Sequence, residues 1–578
     1  MNSLVLLIGG IVIFLVAYIC YGGFLAKKWG LDNARQTPSV RLNDNIDYVP
    51  TDARVLFGHH FSSIAGAGPI TGPILAAAFG WIPVYLWIVV GSVFFGGVHD
   101  FGSLAASLDS DGKSIGEIIK TNVSERGKKL FSWYAWITIG LVVAAFTDIC
   151  AKTFAYVPAK EVADAVTGAV TVTPENLTGA QAGTASIIFI FLALAFGWCR
   201  NKLHAGLGVS TILGVIFVAG AIVFGYFFPV LKLTAGQWDV VLIIYIALAS
   251  VLPVWLLLQP RDYLCSFLLY AMMAGAIIGV FVKHPSIQLT GFAGFNVPGK
   301  GFLFPILFVT IACGAISGFH SLISSGTTSK QLAKERPDAQ VIGYGAMLVE
   351  GLLAIVALCV IGAISANGFT NAADGSKLGA PAAVFAAGVA QFMNSFGIPI
   401  QIGKVFVTLA YSAFALTSLD TATRIGRYLM QELASDTKKP NAVTKACSNM
   451  YVATVLTIGI SVILLIAGYA KIWPIFGSAN QLLAALALLA VSAWVIRKGK
   501  KTWETIIPVV FMFAVTFTAI VILVSQHATA FMSALKTPVA GSNPWIDHLP
   551  LAVIGTVLFV LAVLEVVEAV RMLSRKQA

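Results

Sequence analysis

The 578 residues are 58% hydrophobic and 11% charged, with a mean hydropathy of +0.87, whereas a soluble domain carries about 25% charged residues. This composition excludes a soluble globular protein and predicts an all-α polytopic membrane protein. The net charge of +11 does not indicate nucleic acid, because the basic residues gather in short connections between apolar runs, where they set orientation in a bilayer.

Apolar runs predict about fifteen transmembrane helices, near 4–24, 54–78, 82–107, 131–155, 184–200, 204–228, 239–258, 263–283, 302–325, 340–364, 401–423, 448–469, 473–496, 505–525 and 550–571, with ends good to roughly 2–4 residues. The start, Met1-Asn2-Ser3-Leu4, lacks the basic region of a cleaved signal peptide and is expected to be retained as the first helix. With the N-terminus outside, Lys27, Lys28, Arg35, Arg41 and Arg54, then Lys113 to Lys129, Arg424 to Lys445 and Arg497 to Lys501 fall in the cytoplasm. The C-terminus is then cytoplasmic too. The seven cysteines lie singly with no CxxC pair and read as small buried residues, not as metal ligands or disulfides.

The basic segment 27–53 is expected to lie against the bundle. The second span then carries Gly66, Ala67, Gly68 and Pro69 at its middle, where a continuous helix is most weakened. It reads as a broken helix whose second half restarts at Pro69, a residue suited to a first helical turn. The restarted end near Ile70 and Thr71 then presents a positive dipole to an anionic solute. The alternative is a glycine-rich face for close helix packing.

His59 and His60 precede the break, and Asp100 lies in the third span. An acid at that depth is either a relay or the partner of a base. Asp148 lies in the fourth span, and the loop 156–183 carries little signal. In the seventh span Ser250, Pro253, Gln259 and Pro260 mark a second candidate break, with a simple proline kink as the alternative.

The ninth span places Ser317, Ser321, Ser324 and Thr328 on one face, with Ser325 and His320 beside them. Such hydroxyls either complete a cation's shell with freed carbonyls or bond their own helix. His320 is either a proton carrier or a static hydrogen bonder. Glu350 lies in the tenth span, and Asp420 and Arg424 have the spacing of an i, i+4 ion pair. Asn480 and Gln481 open a later span and are suited to bonding a neighbouring helix.

The two candidate breaks lie five spans apart in helices of opposite direction. Spans two to six and seven to eleven therefore predict a five-plus-five inverted repeat of the kind secondary transporters use. This divides the chain into an N-terminal helix and loop (1–53), a ten-helix transport core (54–430) and accessory helices (431–578).

Asp47-Tyr48-Val49-Pro50-Thr51, Val55-Leu56-Phe57-Gly58-His59-His60-Phe61, Ala65-Gly66-Ala67-Gly68-Pro69 and Gly72-Pro73 resemble the signature of the carbon starvation protein A family of bacterial inner-membrane transporters. Gly116-Glu117-Ile118-Ile119, Gln259-Pro260-Arg261-Asp262-Tyr263-Leu264, Ser317-Gly318-Phe319-His320-Ser321 and Phe476-Gly477-Ser478-Ala479-Asn480-Gln481-Leu482-Leu483 extend the resemblance over most of the chain. It implies a LeuT-like core and uptake of peptides or pyruvate, driven by protons.

The resulting expectation is a symporter for pyruvate or short peptides in the bacterial inner membrane. Gly66, Ala67, Gly68, Pro69, Ile70, Thr71, Ser250 and Pro253 are expected to bind substrate. His59, His60, Asp100 and His320, or a cation on Ser321, Ser324 and Ser325, are expected to couple it to a proton or sodium gradient. No cofactor, metal or nucleic-acid partner is expected. The rival reading is a starvation-responsive receptor or channel without coupled transport. An enzyme is disfavoured: there is no HExxH, and Asp111-Gly112-Lys113-Ser114 lacks a phosphate loop's first glycine, position 107 being Ser.

Overall fold

The computed structural model describes residues 1–44, 47–163, 170–173, 175–203, 207–253, 256–435, 441–466, 469–537 and 543–575. The first helix, α1 (Ser3–Trp29), starts where the Asn2 side chain accepts from the Leu4 N–H. It stops at Gly30, whose φ of 79° lets Leu31 N–H reach back to Ala26, a left-handed glycine cap. The segment after it does lie on the bundle: the Val49 and Thr51 N–H groups donate to the Lys330 and Gln331 carbonyls.

The helices α2 (Ala53–Ile64) and α3 (Gly68–Phe79) are halves of one apolar segment bent by 43°. Gly80, at φ 97°, turns the chain tightly into α4 (Trp81–Asp109), where a Cβ would come within 2.5 Å of the Gly291 carbonyl oxygen. A short helix α5 (Ile115–Asn122) and α6 (Glu125–Phe154) follow, then α7 (Thr178–Leu203) and α8 (Leu207–Phe227). Within the predicted loop 156–183, Lys160–Ala163 pairs antiparallel with Val170–Thr173.

Next come α9 (Ala235–Val251), with a Thr234/Gln237 capping box, and α10 (Leu258–Lys283). The next apolar stretch is α11 (Leu303–Thr310) and α12 (Gly318–Gly326). The remaining helices are α13 (Arg336–Ile364), α14 (Pro381–Asn394), α15 (Ile400–Ser435), α16 (Ala442–Ser448), α17 (Met450–Leu465), α18 (Tyr469–Arg497), α19 (Trp503–Lys536) and α20 (Leu549–Arg575). Among the described residues eleven helices are long and apolar enough to cross a membrane, or up to thirteen if each bent pair is one span. The longest pairing joins α6 and α15, both largely buried, so these two form the scaffold.

Three expectations need correction. The second interruption is not at Pro253. That residue is exposed in the connection between α9 and α10, with Val254 and Trp255 outside the described residues. A proline there ends one helix instead of bending it. The ninth span, expected to be continuous, is interrupted between α11 and α12. Finally, α14 was not anticipated; at 14 residues it is shorter than the roughly 20 that a span needs.

The interruption between α11 and α12 is held open by α18. Asn480 Nδ2 donates to Ser317 Oγ at 2.9 Å, and its Oδ1 accepts from the Phe319 N–H at 3.0 Å. Gln481 Nε2 donates to the Phe308 carbonyl at 2.7 Å. The approach is close because a Cβ at Gly318 would lie 2.4 Å from the Asn480 oxygen, and one at Gly477 2.2 Å from the Val309 oxygen. The side chains of Asn480 and Gln481 thus take the partners that helix continuation would supply. Asn480→Ala leaves the Phe319 N–H buried and unpaired and is expected to lower stability by about 1–3 kcal/mol, read as a lowered melting temperature in detergent, whereas Lys536→Ala on the exposed end of α19 should leave it unchanged.

Candidate functional site

The N-terminus of α2 is capped by Asp52, whose carboxylate accepts from the Arg54 N–H at 2.9 Å. At its other end Ala65 to Ala67 leave the helix, and α3 restarts at Gly68 with Pro69 in its first turn. The Ser63 carbonyl released there accepts from Ser418 Oγ on α15 at 3.2 Å. The two interruptions pack on each other: a Cβ at Gly68 would lie 2.4 Å from Cys313 Sγ, and one at Gly314 would lie 3.5 Å from Pro69 Cα. Gly72 extends the contact, with the Thr310 oxygen 2.9 Å from its missing Cβ. Gly66, Ala67, Gly68, Pro69, Ile70 and Thr71 are all buried at this crossing. Thr71 Oγ1 and Tyr411 Oη lie 2.9 Å apart.

Beside the crossing lies an array of acids and imidazoles. Asp100 Oδ1 is 2.6 Å from His99 Nδ1, and its Oδ2 is 2.8 Å from His320 Nδ1. His320 Nε2 faces Glu350 Oε2 at 3.5 Å, and all four side chains are 0% exposed. His60 borders the array, its Nδ1 2.8 Å from Thr328 Oγ1. Neither Glu350 oxygen has a hydrogen-bond partner, and His99 Nε2, His60 Nε2 and Ser324 Oγ also lack one among the described residues. No Lys or Arg pairs with this array among the described residues.

A second array is balanced by fixed cations. Arg261 Nη2 contacts Asp262 Oδ1 at 2.8 Å, and Arg261 also pairs with Asp420. Tyr245 Oη accepts from Arg261 at 2.6 Å and donates to Asp420 at 2.7 Å. His59 Nδ1 lies 3.1 Å from Asp262 Oδ2. Arg424 donates to the Ala249 and Leu252 carbonyls at 2.6 and 2.5 Å, pinning the end of α9. The expected Asp420–Arg424 pair is therefore replaced: Asp420 turns to Arg261, and Arg424 satisfies helix-end carbonyls.

The structure brings together the six residues of the first break, and it joins Asp100 to His320 with His60 nearby. His59 belongs to the other array. Ser321 and Ser325 bond back to the Gly318 and Ser321 carbonyls, each at 2.7 Å, serving their own helix; Ser317 and Thr328 bond Asn480 and His60 instead, and Ser324 Oγ has no partner among the described residues. Ser250 faces away from the crossing, its Oγ 3.2 Å from Thr454 Oγ1 on α17, and Pro253 is exposed. Asp148, left without a role in the sequence, pairs with Lys152 at 2.8 Å. The sequence reading missed Cys313 and Gly314, whose sign is the small-residue run Ala312 to Gly318, and gave Glu350 no partner. Among the described residues no group of three or more His, Cys, Asp or Glu is placed to hold a metal ion.

The family model described as "Carbon starvation protein CstA" matches residues 2–379 and 371–519. The chain is 33% identical to "Peptide transporter CstA" of Escherichia coli (strain K12), over 90% of this chain and 80% of that one. It is 32% identical to "Pyruvate/proton symporter BtsT" of the same strain, over 89% of this chain and 81% of that one. It is 30% identical to "Peptide transporter CstA" of Bacillus subtilis (strain 168), over 89% of each chain. Among solved structures, a mutant of the Eremococcus coleocola manganese transporter overlaps 92% of this chain and 99% of its own, at 10% identity and a TM-score of 0.44. An overlap that low has no bearing on fold or cargo.

Two outcomes follow from the geometry. Gly68→Ala drives a methyl into Cys313 and, as overpacking, is expected to lower stability by about 1–3 kcal/mol; Cys313→Gly in the same chain should recover most of the loss in a detergent melting assay. Arg261→Met strands Asp262 and Asp420 without their cation, with an expected loss of about 3–5 kcal/mol, and adding Asp262→Asn with Asp420→Asn should restore most of the melting temperature.

Proposed function

Because the chain belongs to the carbon starvation protein CstA family, we propose that it is a secondary active transporter that imports pyruvate or short peptides by proton symport across the bacterial inner membrane. The observation that carries the coupling is the buried array of Asp100, Glu350, His99 and His320, which no Lys or Arg among the described residues pairs with. Two ionised carboxylates in so dry a place are costly unless something positive balances them. Here the available balance is protons on imidazole and carboxyl, and imidazole exchanges its proton near physiological pH. The array touches the crossing: the Cβ of Ala354, one turn beyond Glu350, is 2.9 Å from where a Gly314 Cβ would stand.

An inverted repeat follows once the second break is moved. One unit is α2–α3, α4, α6, α9 and α10, and the other is α11–α12, α13, α15, α17 and α18. Its support is reciprocal packing: α10 lies on α2 as α18 lies on α11, α13 on α3 as α4 on α12, and α9 on α6 as α17 on α15. The hairpin of α7 and α8 and the short α14 are insertions, so the core runs from Ala53 to Arg497 in place of 54–430. Counting α9 and the interrupted α11–α12 segment as spans raises the thirteen to the expected fifteen or so. The N-terminus is then outside and the C-terminus cytoplasmic, in keeping with the basic connections.

In this reading the substrate carboxylate meets the N-terminal end of α3 near Ile70 and Thr71, a site that pyruvate and a peptide both satisfy. The test is uptake of labelled pyruvate and of a labelled dipeptide into proteoliposomes under a proton or a sodium gradient. The expected result is accumulation of one of them with the proton gradient alone, abolished by an uncoupler. Sodium-driven accumulation would overturn the coupling ion, and no driven uptake of either solute by folded protein would overturn the symporter.

A further inference from the structure

The sequence marks Glu350 only as an acid inside a span; Glu565 in α20 is likewise buried with an unpartnered oxygen but stands apart from the two interruptions, and among the acids around them the surroundings of Glu350 are distinct. Asp262 and Asp420 share Arg261. Asp100 holds two imidazoles, and Asp148 has Lys152. Among the described residues neither Glu350 oxygen has a hydrogen bond, and the basic atom that faces it is His320 Nε2 at 3.5 Å. The groups facing it are His320 on α12, Asp100 and His99 on α4 beyond that ring, and the Cys313 thiol in the interruption. An ionised carboxylate with neither hydrogen bond nor fixed cation is strongly disfavoured in such a place, so a carboxyl here holds a proton until a partner comes close.

The backbone points to the same two acids. A π-turn spans Ser92–Gly96 in α4, shortly before Asp100, and another spans Gln340–Gly345 in α13, shortly before Glu350. Such turns appear mostly as single insertions in helices and often at functional sites. His320 stands between the two acids, and it sits in the first turn of α12, directly after the interruption.

We propose that Glu350 is the acid that binds the coupled proton and passes it through His320 to Asp100. This rests on the proton-symport reading above. In the transfer, Glu350 Oε2 gives its proton to His320 Nε2 while His320 Nδ1 gives its own to Asp100 Oδ2. One O–H bond breaks at Glu350 and one forms at Asp100, leaving the imidazole neutral as the other tautomer. Proton transfer needs a donor–acceptor distance of about 2.6–3.2 Å, shorter than the 3.5 Å present. The step therefore waits for α12 to close on α13, which ties proton release to movement of a broken helix.

The test uses the full chain in proteoliposomes, with pyruvate and a dipeptide as probes, comparing wild type, Glu350→Gln and Glu350→Asp. The expected result for Glu350→Gln is loss of proton-driven accumulation while counterflow, which needs no net proton movement, persists; Glu350→Asp restores accumulation with a displaced pH profile. In infrared difference spectra between low and high pH, a deuterium-sensitive band of a protonated carboxyl should be present in the wild type and absent from Glu350→Gln. Gradient-driven accumulation by Glu350→Gln overturns the assignment, as does a raised KM for the dipeptide with coupling intact, which marks a ligand for the peptide ammonium. If Glu350→Gln does not fold, an unchanged pH profile in Glu350→Asp overturns it instead. Should the wild type accumulate neither solute, the symport reading falls, and the infrared band still decides whether Glu350 carries an exchangeable proton: a band that survives in Glu350→Gln overturns that too.

Discussion

A helix interrupted inside a membrane protein releases carbonyls and N–H groups that have no bulk water to bond, and this chain contains two such interruptions pressed together. The core is built around meeting that demand. Ser418 supplies a partner to one carbonyl of the first break, while Asn480 and Gln481 supply partners to one N–H and one carbonyl of the second, Asn480 also holding the Ser317 hydroxyl. The glycines at 68, 72, 314, 318 and 477 are required by the same geometry, because a Cβ at any of the first, second, fourth and fifth would come within 3.0 Å of a neighbouring atom, closer than side chains pack. A Cβ at Gly314 would likewise meet the Cβ of Ala354, at 2.9 Å. The long pair α6 and α15 flanks this crossing, and Phe146 and Ser418, one from each, close over Gly66.

The two buried polar arrays are chemically different objects. Around Arg261 every acid meets a guanidinium that keeps its charge at any physiological pH, and Tyr245 and Arg424 fix its surroundings to the end of α9. Such an array holds helices in register, and removing its cation leaves uncompensated charge. Around His320 no Lys or Arg among the described residues pairs with the acids, so the charge of the array varies with its proton content. An element whose charge can change is what coupling requires, whereas an element whose charge cannot change is suited to hold a conformation.

The first break was legible in the sequence because Gly66, Gly68 and Pro69 act locally: each weakens a helix whatever surrounds it. The second was not, because Ala312 to Gly318 contains a single strong breaker on each side of an otherwise permissible helix, and what opens it is Asn480, more than 160 residues away in the chain. Pro253 gave a stronger local signal, but a proline ends a helix as readily as it bends one, and only the position of α10 decides between them. Asp420 and Arg424 show the same limit: their spacing allows a pair on one helix, yet Arg261 and the open carbonyls of α9 are better partners in the folded chain. The adjacent His59 and His60 point about a third of a helical turn apart, which sends them to different arrays; adjacency in sequence hid that difference. Glu350 was visible as an acid in a span, but its partner could be found only once α12 was placed against α13.

The position of His320 joins these strands. It lies three residues beyond Ser317, which Asn480 holds at the mouth of the interruption, so a change in how the two breaks pack reaches His320 within a single helical turn. In the proposed transporter a carboxylate arriving at the start of α3 would bear first on Cys313 and Gly314, the residues now packed against Gly68 and Pro69. Displacing them moves the origin of α12, and with it the His320 ring relative to Glu350 on α13 and Asp100 on α4. Substrate and proton then act on the same short segment from opposite sides. Coupling needs no long pathway in this arrangement, because the backbone that senses the carboxylate is the backbone that carries the imidazole.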